Sequence, residues 1–372
     1  MHSSTFTVVL VALFAVLSIA HPIARLGHDH RSSPIPVPSD VPSDVSKSDS
    51  EPSSIPIVES SLIVKSSPVS SSTKSGSEDG QPTQIPNTSG GSSLTNRLFP
   101  YGFGKGFWTT AEGIDGARTL SDTTLKPTKA LSALSRDIVK APDGKLGMRA
   151  YYPQGSYTFT HNPLGGFSFY TKGPSDVDLS SALEATFGYS VFFEKDFDYQ
   201  LGGKLLGFYG GENDEVAVEC SGGRRDTRCW STRLMWRTKG EGELYTYLPS
   251  PENIGFEANR SLCNVAPSSH CNPTYGASVG RGAFDFKSGQ WNTVSQRVRL
   301  NDVGQSNGEL ELFFNGKSVI NVKGLKFRNN TQGLFRGLQA QTFFGGSKPE
   351  FASPKSQNAW FSDFSVAIIK TI

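Results

Sequence analysis

Trp230-Ser231-Thr232-Arg233-Leu234-Met235-Trp236-Arg237, then Thr238 to Gly242, then Glu243-Leu244-Tyr245-Thr246-Tyr247, is the stretch on which the reading of this chain turns. Side chains alternate between faces along a strand, so Ser231, Arg233, Met235 and Arg237 share one face, and Thr232, Leu234 and Trp236 the other. On the second run Tyr245 and Tyr247 oppose Leu244, Thr246 and Leu248. Two such runs around a Gly-containing turn predict a hairpin whose apolar set points into a core. Centred near Lys239, it sets Ser231 across from Tyr247 and Arg233 across from Tyr245, all on the non-core face. A one-residue slip would turn both tyrosines into the core, against the apolar pattern. Glu241 and Glu243, beside the turn, read as solvent-facing.

The same period of two recurs in Phe167 to Tyr170, Ala185 to Glu194, Leu201 to Tyr209, Thr293 to Leu300, Leu310 to Phe314 and Trp360 to Ile369. Gly, Asn, Asp and Pro punctuate these runs, and Asn315-Gly316 is the dipeptide most favoured for a two-residue hairpin. No long segment shows helical periodicity. The expectation is an all-β fold, a β-jelly-roll sandwich of two antiparallel sheets, which leaves one curved face free to hold a polymer.

Composition divides the 372 residues into three parts. Residues 1–20 carry an apolar stretch, Val8 to Ile19, too short to span a bilayer and ending in Ser18-Ile19-Ala20; this reads as a secretory signal peptide. Residues 21–96 are Ser- and Pro-rich without Phe, Tyr or Trp before Thr95, a composition that cannot offset chain entropy by burial and predicts a disordered linker. Residues 97–372 are rich in Gly and aromatics and form one domain large enough for a substantial core.

Four cysteines fit an oxidising destination. They allow three connectivities, of which Cys220 with Cys229 and Cys263 with Cys271 close the shortest loops. A zinc site competes weakly, because no CxxC spacing occurs and His270 is the only nearby imidazole. Asn87, Asn259 and Asn329 open sequons for glycosylation. The protein is therefore expected to be secreted and extracellular. With 36 basic and 34 acidic residues, global charge points to neither nucleic acid nor membrane.

Local charge differs. Between Ser221 and Gly240 stand Arg224, Arg225, Arg228, Arg233, Arg237 and Lys239 against Asp226 alone, a strip suited to an anionic polymer. Lys204, within Leu201-Gly202-Gly203-Lys204-Leu205-Leu206-Gly207, is costly to bury unpaired, so it emerges into a cleft or has a partner. No G-x-S-x-G, H-E-x-x-H or phosphate-binding Gly loop is present.

Lys204, the Ser231-x-Arg233 pair and Tyr245-x-Tyr247 resemble the active-site set of polysaccharide lyase family 14. The resemblance extends through Tyr152 to Tyr157, Tyr275 to Gly282, Trp291 to Asn301 and Thr342 to Gly346, over nearly all of 97–372 and none of the linker. It implies a jelly-roll lyase acting on alginate or β-1,4-glucuronan, glucuronan being preferred, without a cofactor and as a monomer. It also implies that Lys204, Ser231, Arg233, Tyr245 and Tyr247 are catalytic, with the Cys220 to Cys229 loop as a rim. β-Elimination suits these residue types: Arg233 or Lys204 can neutralise the uronate carboxylate, and a tyrosine or Lys204 can take the C5 proton while a phenol protonates the leaving oxygen. The alternatives are a non-catalytic glycan-binding module and a jelly-roll glycoside hydrolase, the latter needing two facing carboxylates.

Overall fold

The computed structural model describes residues 93–372; the expected signal peptide, nearly all of the expected linker and the Asn87 sequon lie outside them. A short helix, Leu94–Leu98, opens the domain, with the Ser93 hydroxyl accepting from the Asn96 amide. This helix takes in Leu94 to Asn96, which composition alone groups with the linker.

Two antiparallel sheets carry the rest. One has seven strands in the order Phe167–Thr171, Leu334–Phe344, Gly203–Gly211, Cys229–Trp236, Glu241–Tyr247, Ala277–Asp285 and His270–Cys271. The other has eight: Lys317–Leu325, Gly308–Phe314, Trp291–Arg299, Ala182–Phe193, Gln357–Thr371, Leu146–Tyr152 and Ile138–Lys140, with Gly106–Thr109 also paired to Gln357–Thr371. Between them lies one continuous core in which Trp230, Leu234, Trp236 and Leu244 of the first sheet pack with Phe187, Tyr189, Val294 and Phe361 of the second. The sandwich expected from period-two patterning is the fold observed.

The hairpin register is the predicted one. Ser231 pairs with Tyr247, Arg233 with Tyr245, and Leu234 with Leu244. The turn is made by Thr238–Gly240, with Lys239 at a φ of 60°. Asn315 and Gly316 take φ values of 49° and 84° and join Gly308–Phe314 to Lys317–Leu325, the double left-handed conformation that a right-twisted hairpin requires. Gly203 is fixed by packing: a Cβ there would lie 2.0 Å from the Trp236 ring.

Both disulfides pair as the shortest loops suggested, Cys220 with Cys229 and Cys263 with Cys271, and consume the thiolates a zinc site would need. The Asn259 sequon is a correction. Asn259 is buried, and the amide nitrogen to which a glycan would be joined donates instead to the Pro249 and Lys326 carbonyls at 2.9 Å. Asn329 is exposed. Among the described residues no helix is long and apolar enough to cross a membrane.

Candidate active site

The seven-stranded sheet turns one face to the core; the other collects the polar members of the hairpin together with those of its neighbours. Arg233 lies at its centre, 2% exposed, with Nη1 donating to Gln341 Oε1 at 3.1 Å. Its Nε is buried without a partner. Gln341 in turn donates to Ser168 Oγ at 3.0 Å and accepts from Gln339, which also donates to the Tyr170 hydroxyl at 3.1 Å. The floor is thus a hydrogen-bonded carpet drawn from three strands, with a guanidinium whose only protein acceptor among the described residues is Gln341. Burial lowers the Arg233 pKa, opposed by Tyr170, Tyr247 and Tyr245.

Lys204 reaches this face from the strand beyond. Half-buried, it sets Nζ 3.1 Å from the centroid of the Tyr245 ring and 2.7 Å from Met235 Sδ. It forms no ion pair among the described residues. Desolvation first, then the charges of Arg233 and Arg237, push its pKa well below the ordinary lysine value, with Glu243 opposing weakly. The Tyr245 phenol moves the other way, raised chiefly by burial and next by Tyr247. A lysine displaced toward its free amine therefore sits on a phenol displaced toward its neutral form, and two titratable groups pushed apart by their surroundings are the pattern of an acid–base pair.

Tyr247 packs edge-on against Tyr245 with centroids 5.8 Å apart, and its hydroxyl oxygen accepts from the Gly223 amide at 3.0 Å. Ser231 shares the face. Its hydroxyl, 1% exposed, donates to the Cys220 carbonyl at 2.7 Å and ties the disulfide loop to the sheet. The structure brings Lys204, Arg233, Tyr245 and Tyr247 together and leaves Ser231 as their anchor to the loop. Tyr152, in a segment carrying the family resemblance, is buried, and its hydroxyl bonds Thr342 Oγ1 at 2.5 Å, so it is a strut between sheets.

Glu243 overturns its expected place in solvent. It is fully buried, with one carboxylate oxygen 2.6 Å from Arg237 Nη2 and the other 2.9 Å from Arg281 Nε and 2.5 Å from Ser278 Oγ. The register pairs it with Met235, and it has the parity of Tyr245 and Tyr247, which is the signal that identifies it. Arg237, so held, lies 5.8 Å over the Tyr245 ring. The basic strip also changes character, since Glu219, just before it, pairs with Arg224 at 3.1 Å, and Asp226 with Arg228 at 2.7 Å.

A family model for polysaccharide lyase 14 matches residues 140–364. Among solved structures, the chain is similar to a marine alginate lyase of this family from Aplysia kurodai, with 33% identity over 66% of this chain and 88% of that one and a TM-score of 0.53. It is similar also to an alginate lyase from a Chlorella virus, at 26% identity over 66% and 93% of the two chains, again with a TM-score of 0.53. No curated protein matches.

Proposed function

The chain belongs to polysaccharide lyase family 14 and is a polysaccharide lyase acting on a polyuronide, and from that premise we propose that it is a secreted alginate-type lyase in which Lys204 is the general base and Tyr245 the general acid. Lys204 Nζ takes the C5 proton, the freed electron pair forms the C4–C5 double bond, and the C4–O4 bond breaks as the Tyr245 hydroxyl protonates O4. The products are a chain with an unsaturated uronate at its new non-reducing end and a partner chain whose anomeric oxygen, now protonated, is a new reducing end. Arg233 meets the carboxylate whose charge must be neutralised before C5 becomes acidic; a guanidinium with free donors, fixed in advance, stabilises the developing enolate without reorganisation.

The observation that carries this reading is the opposed displacement of two side chains in contact, Lys204 toward the free amine and Tyr245 toward the neutral phenol, with Lys204 Nζ 3.1 Å from the centroid of the Tyr245 ring. Tyr247, held by the Gly223 amide, and Ser231, bonded to Cys220, position the pair and the rim. Both similar solved structures above are described as alginate lyases, which moves the preferred substrate from glucuronan to alginate. The leading apolar segment and two disulfides support export. A hydrolase is disfavoured because Glu243 has both oxygens occupied by arginines.

The test is ultraviolet detection of unsaturated ends across a panel of mannuronate-rich, guluronate-rich and glucuronan polymers. On a responsive substrate, Tyr245→Phe should lower kcat by roughly 10²- to 10⁴-fold with binding retained, because the ring stays and only the proton donor is lost. Arg233→Ala should cost about 10²- to 10³-fold. Full activity in Tyr245→Phe would remove it as the acid; a protein that binds the panel and eliminates none of it would be a binding module.

A further inference from the structure

Of the three arginines in the Cys220 to Cys229 loop, two are neutralised locally, Arg224 by Glu219 and Arg228 by Asp226. Arg225 is not. It makes no ion pair or hydrogen bond among the described residues, it is half-buried, and its Nε is fully enclosed without an acceptor. Taking a guanidinium out of water unpaired is expensive, so such a group signals an acceptor that arrives from elsewhere.

Its surroundings say what would arrive. The guanidinium lies 6.0 Å from the Tyr247 ring, and Arg225 also lines a cavity of about 170 Å³ with Ser250, Arg260, Asn272 and Thr246. Within that lining Arg260 is already satisfied by Glu252 at 2.9 Å, which leaves Arg225 as the guanidinium there without a carboxylate. The loop that carries it is not free to swing it away. The Cys220 to Cys229 bond closes it, Ser231 holds Cys220, and the Gly223 amide, two residues from Arg225, is fastened to Tyr247. A fixed, partly desolvated, unpaired guanidinium is the arrangement that favours bidentate pairing with a carboxylate.

We propose that Arg225 forms an anion subsite that binds the carboxylate of a uronate unit beyond the one being cleaved, on the Tyr247 side of the reacting centre. This rests on the polyuronide reading above and deepens it, since Lys204 and Tyr245 handle one sugar and Arg225 another. A contact made equally in the ground and transition states changes KM and leaves kcat alone, and it exists only for chains long enough to reach it.

The experiment uses the full chain and a size-graded series of oligouronides from alginate and from glucuronan. Arg225→Ala should raise KM about tenfold on long oligomers, the loss expected for one charge-assisted contact, with kcat within about twofold and no effect on the shortest oligomer cleaved. Arg225→Lys should recover only part of the affinity, because an ammonium cannot pair in two places. Calorimetry of the same oligomers with Lys204→Ala and with Lys204→Ala/Arg225→Ala reads binding without turnover and should show the same length-dependent gap. Equal affinities and KM values at every length, in a variant with unchanged thermal unfolding, would overturn the subsite while leaving the lyase assignment standing. Arg225-dependent binding by a wild-type protein that eliminates no polyuronide would leave the subsite standing and sink the lyase chemistry. A fall in kcat on the shortest oligomer equal to that on long ones would place Arg225 in the reacting centre and overturn the proposal.

Discussion

Replacing Lys204 by Met tests the protonation state on which the proposed chemistry depends. In the native fold, burial and then Arg233 and Arg237 hold the Lys204 pKa well below its ordinary value, whereas unfolding returns it to about 10.4. Across the interval between those two values the unfolded chain binds one more proton at this site than the folded chain. Stability therefore falls as the pH falls, with a slope of about 1.4 kcal/mol per pH unit inside the interval and none outside it. Methionine binds no proton, so Lys204→Met removes that slope. Its stability advantage over the wild type should be smallest above pH ~10.4 and grow by about 1.4 kcal/mol with each unit of acidification until the native pKa is reached. For a domain of this size each kcal/mol corresponds to roughly 2–4 °C in Tm. Urea titrations of both proteins at unit intervals from alkaline to neutral pH measure the gap directly. A gap independent of pH would mean that Lys204 remains charged in the fold, and the assignment of the base would fail with it. The variant should meanwhile lose elimination activity, becoming more stable and inert together.

Glu243→Gln removes the charge that pairs with both Arg237 and Arg281 in a fully buried setting and should cost roughly 3 kcal/mol, a Tm drop on the order of 6–12 °C; an unchanged Tm in thermal unfolding would show that the two pairs contribute no net stability. Peptide mapping of protein from a glycosylating host should find glycan at Asn329 and none at Asn259, whose amide nitrogen makes two hydrogen bonds to backbone carbonyls inside the fold; occupied Asn259 would contradict its burial.

What the sequence made legible followed from local alternation. The runs 231–236 and 243–247 obey the period of two on either side of the turn, and their cross-strand register could be assigned before any coordinates because only one parity buries Leu234, Trp236 and Leu244. Two of the strands that escaped the same reading have broken alternation. Ala277–Asp285 carries Gly280 and Gly282 at positive φ and a register shift between Val279 and Phe284. Leu334–Phe344 contains Arg336, Gly337, Gln339 and Gln341, polar because half of its residues face the cleft floor. That second omission hid the glutamines that orient Arg233. Glu243 was hidden for a different reason: a carboxylate near a turn reads as solvent-facing, and its burial depends on Arg237 from the same hairpin and Arg281 from the neighbouring strand. Tertiary partners of that kind lie beyond the reach of periodicity. Asn259 shows the same limit, a sequon by sequence and a buried strut by structure.

The arrangement of cations explains why a lyase of this kind tolerates an unstable lysine. In the proposed mechanism Lys204 is the base, and desolvation first, then Arg233 and Arg237, displace it toward the free amine. A free amine with a strongly depressed pKa, however, is also a weak base, and proton transfer slows as basicity falls. Substrate resolves the conflict. When a uronate carboxylate pairs with Arg233, its negative charge cancels much of the field that this guanidinium exerts on Lys204, and an opposite charge nearby favours the protonated amine. On the proposed mechanism Lys204 thus becomes more basic at the moment its target is in place. The buried Glu243 sets the background of that switch by neutralising Arg237 and Arg281 from below, so that the charge which substrate changes most is the one on Arg233, where the protein itself supplies only the side-chain oxygen of Gln341.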